Sequence, residues 1–266
     1  MIDTHAHLYD PQFTSEIVKH ILDIKEAGVS EVWLPNCDLE SWKQLESLYQ
    51  MYPDFVLPMI GLHPTYVKEG YLSELKELKA ILDNQKVLAI GEIGLDYYWD
   101  TTFQSEQIMA FETQCHWALD RGLWIDVHCR KAYADLIRIL KKEEYKELKG
   151  IIHCFSGDFR EAKTLVDLGY TLGIGGVITY KNTTLFDSIK DISLDHIVLE
   201  TDAPDISPEW LKNGEKNSPA QLKKISEIMA ELRSIKASQV AEITTKNTLD
   251  ILPNMAKLFT RHNVLL

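Results

Sequence analysis

The chain has 266 residues, 45% of them hydrophobic and 26% charged, and carries a formal net charge of −12. This composition has room for one large core and excludes a collagenous or disordered chain, while the acidic balance excludes tight non-specific coating of nucleic acid but leaves room for a small cationic site. No apolar segment approaches the roughly 20 residues that span a bilayer, and no charged leader followed by an apolar run precedes the first strand, so a soluble protein without a cleaved signal is expected.

The first eight residues read as a strand in which His5 and His7, two apart, share one face. Two neutral imidazoles held by backbone geometry make half of a metal site. Residues 14–27 carry Ile17, Ile21, Leu22 and Ile24 at helical spacing and stop at Gly28, a usual helix terminator. A strand over 31–35, a helix over 39–49 and a strand over 55–60 follow, the last running into Gly61-Leu-His63-Pro64. Residues 71–83 place Leu72, Leu75, Leu78, Ala80 and Leu82 near the helical period. A fourth strand over 87–91 delivers Glu92, and a long helix covers 103–121. Strands over 123–127 and 150–152 deliver His128 and His153, a seventh covers 169–174, and an eighth over 196–199 delivers Glu200 and Asp202. A loop rich in Pro, Lys, Asn and Gly spans 207–220, and helices over 220–233 and 238–249 follow it.

Eight short apolar runs alternating with amphipathic helices, with no break in composition, predict one α/β domain over residues 1–266, a parallel sheet closed into a (β/α)8 TIM barrel. The alternative is an open doubly wound sheet. Against it, the first turn lacks a glycine-rich phosphate fingerprint and the chemistry-bearing residues come from strands scattered along the chain. A closed barrel brings such strand ends to one mouth. His5, His7, Glu92, His128, His153 and Asp202 all fall there. A single zinc takes three protein ligands and a water, so six ligands point to two divalent ions, bridged by a carboxylate and by a solvent molecule whose pKa the ions lower. The cysteines, Cys37, Cys115, Cys129 and Cys154, have no CxxC spacing and fall within regular elements, the pattern of reduced thiols in a cytoplasm. Strand alternation turns Cys129 and Cys154 away from the ligand face of their histidine neighbours.

Five separated blocks carry a resemblance: Asp3-Thr-His-Ala-His7, Gly91-Glu-Ile-Gly-Leu-Asp-Tyr97, Val127-His-Cys-Arg130, Ile152-His-Cys-Phe-Ser-Gly157 and Leu199-Glu-Thr-Asp-Ala-Pro204. Over essentially its full length the chain resembles the TatD-type metal-dependent deoxyribonucleases of the amidohydrolase superfamily. The resemblance implies that His5, His7 and Asp202 hold one ion, that His128 and His153 hold the other, and that Glu92 bridges them. It also implies that Asp202 handles the proton of the attacking water, as base and then as acid.

Flanking residues complete the expected site. Glu200, two before Asp202, supports a histidine ligand from behind, with direct ligation as the alternative. Asp96 orients a ligand or satisfies loop amides, the second role being favoured. His63 meets a phosphate or leaving group, or simply turns the chain, and Arg130 and Lys216 contact substrate phosphate. His20, His116, His196 and His262 lie away from the mouth. One segment departs from the family, which often carries Arg-Asn-Glu-Pro where this chain has Gly214-Glu-Lys-Asn-Ser-Pro219. Lys216 offers a point charge where arginine offers a fork, which affects substrate identity and not metal binding.

The expectation is a cytoplasmic hydrolase with two divalent ions, Mg, Mn or Zn, that cleaves phosphodiester bonds in DNA. Single strands or 3′ ends are the expected substrates, and no membrane or obligate protein partner is expected. The alternative chemistry is that of an amidohydrolase or esterase, such as an aminoacyl-tRNA deacylase. A third reading, a non-catalytic binding barrel, leaves Glu92 and Asp202 without a purpose.

Overall fold

The computed structural model describes residues 1–212 and 214–252, so His262 lies outside the described residues. Strand β1 (Ile2–Asp3) pairs with β2 (Glu31–Leu34), and β2 with β3 (Val56–Pro58). Strands β4 (Ile90–Asp96), β5 (Ile125–Arg130), β6 (Gly150–Ile152), β7 (Thr171–Ile174) and β8 (Ile197–Leu199) pair in that order, and every pairing is parallel. Backbone hydrogen bonds span both remaining seams. On one side Leu88 N–H donates to the Pro58 carbonyl at 2.7 Å and Gly91 N–H to that of Ile60 at 2.9 Å; on the other, His7 N–H donates to Ala203 at 2.7 Å and Asp202 N–H to His5 at 2.9 Å. The strand order and the helices between are those of a (β/α)8 barrel, as the alternation of apolar runs predicts.

The helices are α1 (Pro11–Thr14), α2 (Ile17–Glu26), α3 (Leu39–Met51), α4 (Tyr71–Asn84), α5 (Gln104–Arg121), α6 (Tyr133–Leu140), α7 (Phe159–Asp167), α8 (Leu185–Ile189), α9 (Leu222–Arg233) and α10 (Ala237–Asp250). Local chemistry sets their ends. Asp38 and Ser41 form a reciprocal cap at the start of α3, and Asp158 and Glu161 do the same for α7. The helix expected over 14–27 begins later, at Ile17, because Asp10 caps a separate turn that runs from Pro11 to Thr14. Leu22 and Leu72, both counted in the helical pattern, are largely exposed. Each is one residue, or about 100° of helix, from the buried residues Ile21 and Tyr71.

Along β5 and the segments flanking it, alternation places Trp124, Asp126, His128 and Arg130 on one face. Trp124 packs with Ile2, Trp33, Leu57, Met59, Leu88, Ile151 and Val198, side chains from seven of the eight strands or their margins, in an apolar plug inside the barrel. The two indoles lie 5.2 Å apart. Above the plug the same face becomes buried carboxylate, then imidazole, then exposed guanidinium. The progression along β8 is parallel: Val198 belongs to the plug, and Glu200 and Asp202 follow at spacing two. The strands thus set a dry floor beneath a polar mouth. Among the described residues no helix is long and apolar enough to cross a membrane.

Candidate metal centre

The first strand is shorter than expected, ending at Asp3 because the Asp3 carboxylate accepts the His5 N–H and the Thr201 hydroxyl and N–H, tying the segment to the chain after β8. Ala6 nevertheless pairs with Ala203, so His5 and His7 are still held close together. Their Nε2 atoms lie 3.2 Å apart. His5 Nδ1 is 2.8 Å from Asp126 Oδ2. His7 Nδ1 is 2.7 Å from the Tyr9 hydroxyl, which donates to the Pro35 carbonyl at 2.8 Å and so accepts the imidazole proton. Both Nδ1 atoms therefore carry the hydrogens, and two Nε2 lone pairs face each other. Asp202 Oδ1 is 3.5 Å from each of these nitrogens, and Glu92 Oε2 is 3.5 Å from His5 Nε2.

The other half of the centre has the same construction. His128 Nε2 is 2.8 Å from Asp96 Oδ2, which leaves its Nδ1 toward Glu92 Oε1 at 3.0 Å and His153 Nε2 at 3.3 Å. His153 Nε2 lies 2.8 Å from Glu92 Oε1, and His63 Nε2 3.2 Å from it. Glu92 thus turns one oxygen to His5 and His7 and the other to His63, His128 and His153. Glu92 and His128 were expected just beyond their strands but lie within β4 and β5, because the register irregularity between Ile90 and Ile93 lets pairing with β5 continue through Asp96.

The electrostatics of the cluster call for positive charge. Burial opposes the imidazolium at His5, yet Asp126 and Glu92 hold its pKa well above the ordinary value. At His128 burial is likewise outweighed, by Asp96 and Glu92, and the pKa is pushed up to about 9. Burial would raise the Glu92 carboxyl, but the surrounding imidazoles hold it well below its usual range. Asp202 is lowered despite burial, chiefly by His7 and His5. At His63 burial dominates and lowers the pKa. Converging lone pairs and carboxylate oxygens are the donor set of a divalent cation, which meets the same demand as protons on these rings. Three groupings have ligand atoms within 4.8 Å of one another: His5, His7 and Glu92; His5, His153 and Asp202; and His63, Glu92 and His128. The residues fit metal ions.

Several supports were not singled out in the sequence. Asp126 aims His5, and its position two before His128 on an apolar strand was the available signal. Tyr9 aims His7. Asp96, for which loop support was favoured, does both jobs: Oδ1 accepts the N–H of Tyr98 at 2.8 Å and of Trp99 at 3.3 Å, while Oδ2 holds His128. Glu200 is buried with Oε1 3.8 Å from His153 Nδ1 and accepts the Cys154 N–H, and burial keeps its carboxyl well above the ordinary range. A side chain at Gly173 would collide with that carboxylate. His63 stands closer to the ligands than a purely substrate-contacting residue, against Glu92 and His128.

Two cavities flank the centre. One of about 390 Å³ is lined by His7, Tyr9, Tyr66 and the acidic residues Asp10, Asp38, Glu40 and Asp205. The other, of about 290 Å³, is lined by His128, Arg130, His153, Cys154, Val177 and Asp202. Lys216 lines neither of them; its ammonium donates to the Gln12 carbonyl at 2.9 Å. Buried Asn217 instead ties the loop together through the Thr201 and Asp205 carbonyls. The four thiols are free. Cys37 and Cys154 lie outside regular elements, contrary to expectation; Cys154 sits in a turn with φ of 43°, so strand alternation accounts for Cys129 alone. None of the three ligand groupings includes a cysteine. His20 packs on Phe13, His116 lies near Tyr145, and His196 is exposed before β8, all away from the centre.

A barrel with this ligand set at its mouth defines a metal-dependent hydrolase. The chain belongs to the TatD family: the family model described as TatD related DNase matches residues 2–253. It is 32% identical over 248 residues to YabD of Bacillus subtilis, an uncharacterised metal-dependent hydrolase, covering 93% of this chain and 96% of that one. The crystal structure of YjjV, a TatD homologue from Escherichia coli, superposes with a TM-score of 0.87 at 29% identity, covering 98% of both chains. A TatD-family hydrolase from Entamoeba histolytica gives 0.81 at 25% identity, covering 94% of this chain and 97% of its own.

Proposed function

We propose that the protein holds two divalent ions and hydrolyses phosphodiester bonds in DNA. The observation that carries the reading is Glu92, whose two oxygens divide five imidazoles between them, so that one carboxylate serves both halves of the centre. His5, His7 and Asp202 would hold one ion, His128 and His153 the other, and His63 stands within reach of the second. Bound there, the ions would polarise a phosphorus–oxygen bond and acidify a water. Asp202 borders both the ligand nitrogens and the cavity that contains Arg130. Its lowered pKa keeps it a carboxylate at neutral pH, ready to accept a proton from water and return it to the leaving oxygen. Arg130 supplies the cationic fork on the substrate side. Lys216 is a weaker phosphate partner, its ammonium being shared with Gln12.

The acidic cavity favours a second reading, because Asp10, Asp38, Glu40 and Asp205 suit an amino group better than a phosphate. An aminoacyl ester is such a substrate. Metal-stripped protein reconstituted with Mg, Mn or Zn singly, and assayed on a single-stranded oligonucleotide and on aminoacyl and small carboxylic esters, separates the two. Metal-dependent cleavage of the oligonucleotide at least 100-fold faster than of the esters is the expected result. The opposite ranking overturns the nuclease reading.

A further inference from the structure

Beyond the ligands, the mouth presents a pair of exposed aromatic side chains that the hydrolytic chemistry does not use. Tyr98 and Trp99, just after β4, are 51% and 69% exposed, and their rings meet edge to face with centroids 5.0 Å apart. The Arg130 guanidinium lies over the Tyr98 ring, 3.8 Å from its centroid, and 5.2 Å from that of Trp99. No ion pair among the described residues engages Arg130. Arg130 in turn lines the same cavity as His128, His153 and Asp202. The aromatic segment is also fastened to the centre. One oxygen of Asp96 takes the backbone N–H groups of Tyr98 and Trp99, and the other holds His128. A single carboxylate therefore fixes the aromatic pair and an imidazole ligand in one frame.

We infer that Tyr98, Trp99 and Arg130 form a stacking subsite for a nucleobase next to the scissile phosphate, an inference that rests on the phosphodiester reading above. Every base presents a π face, so a rigid aromatic pair binds bases with little regard to sequence. Stacking on Tyr98 pre-orders the guanidinium beside the cavity, where its N–H groups meet a phosphate oxygen. A base and its own phosphate are thus recognised by adjoining groups, and the subsite positions the phosphodiester against the metal centre.

The test compares the parent, Trp99→Ala and Trp99→Phe on one oligonucleotide and on two matched oligonucleotides with an abasic residue on the 5′ or the 3′ side of the cleaved bond. Trp99→Ala is expected to lower kcat/KM on the base-bearing strand about tenfold, mainly through KM, as stacking losses on alanine substitution run from about 5- to 150-fold. Trp99→Phe should recover most of that loss. On one of the abasic strands the parent should lose a similar factor, and its advantage over Trp99→Ala should shrink at least fivefold. Equal kinetics of parent and Trp99→Ala on the base-bearing strand, or an equal loss on all three strands, overturns the subsite while leaving the nuclease reading intact. A parent that cleaves none of them overturns the nuclease reading and this inference together.

Discussion

Asp126→Asn isolates the device that aims His5. The substitution keeps the shape of a side chain whose Cβ packs directly against Gly91, where an added methyl group would come within 2.5 Å. It replaces the charged acceptor 2.8 Å from His5 Nδ1 with a neutral one. Hydrogen bonds to charged groups contribute about 1.5–3 kcal/mol and neutral ones about 1 kcal/mol, so the imidazole loses about 0.5–2 kcal/mol of support for its metal-binding orientation and basicity. That corresponds to roughly a tenfold loss of affinity, the low end of the 10–100-fold range for partners behind a ligand. At saturating metal each tenfold weakening removes about 1.4 kcal/mol of metal-dependent stabilisation. For a chain of this size the metal-induced rise in Tm should shrink by about 3–6 °C. Competition titration against a chelating dye, with thermal melts with and without Mn, measures both quantities. Affinity within twofold of the parent together with an unchanged metal-induced rise in Tm would refute the argument.

Glu92→Ala should bind less than half the parental metal after dialysis and show no turnover, because both halves of the centre lose an oxygen; a full metal complement contradicts the bridging role. Asp202→Asn should retain metal at reduced affinity yet lose about 10²–10⁴-fold in kcat, the scale of a removed proton acceptor; activity within tenfold of the parent would move that role elsewhere. Arg130→Ala should raise KM for an oligonucleotide and reduce the slope of log KM against log salt by about one; an unchanged slope removes the phosphate contact. In chelator, the stability contributed by His128 is present below its unfolded value of 6.5 and lost as pH rises toward about 9, because the folded pKa is raised. The depressed carboxylates Glu92 and Asp202 act only in the acid range, so they do not offset this loss. Tm of the metal-free protein should therefore fall between pH 6.5 and 9, whereas the metal-induced increment should grow as ligands deprotonate; a flat metal-free profile would contradict the charge demand described for the centre.

The barrel was legible because its strands are short, apolar and regularly spaced, and β6 begins and ends where the pattern places it. The candidate ligands were legible because histidine and carboxylate are conspicuous where apolar runs end. What escaped lies where tertiary pairing overrides local pattern. β1 stops early because Asp3 bonds across to Thr201, nearly 200 residues away, and β4 runs long because it keeps β5 as a partner beyond its irregularity. Tyr9 has no sequence signature as a brace for His7, since its role depends on the Pro35 carbonyl. Asp126 could have been found by extending the same period-two argument that joins His5 to His7. Lys216 could not have been placed, because its engagement with Gln12 depends on how two distant loops meet.

The seam between the first and last strands has a consequence for the order of events in the cell. His5 and His7 are made about 195 residues before Asp202, yet Asp202 supplies the amide that closes the backbone at His5 and a carboxylate oxygen 3.5 Å from the Nε2 atoms of both imidazoles. At about 5–20 residues per second, the ribosome needs roughly 10–40 s to supply it. Until then the nascent chain offers an incomplete chelate on a strand with one neighbour. Full-affinity metal capture must therefore follow synthesis of the eighth strand, and a ribosome-bound chain arrested before residue 202 should release metal readily while one arrested well beyond it retains it.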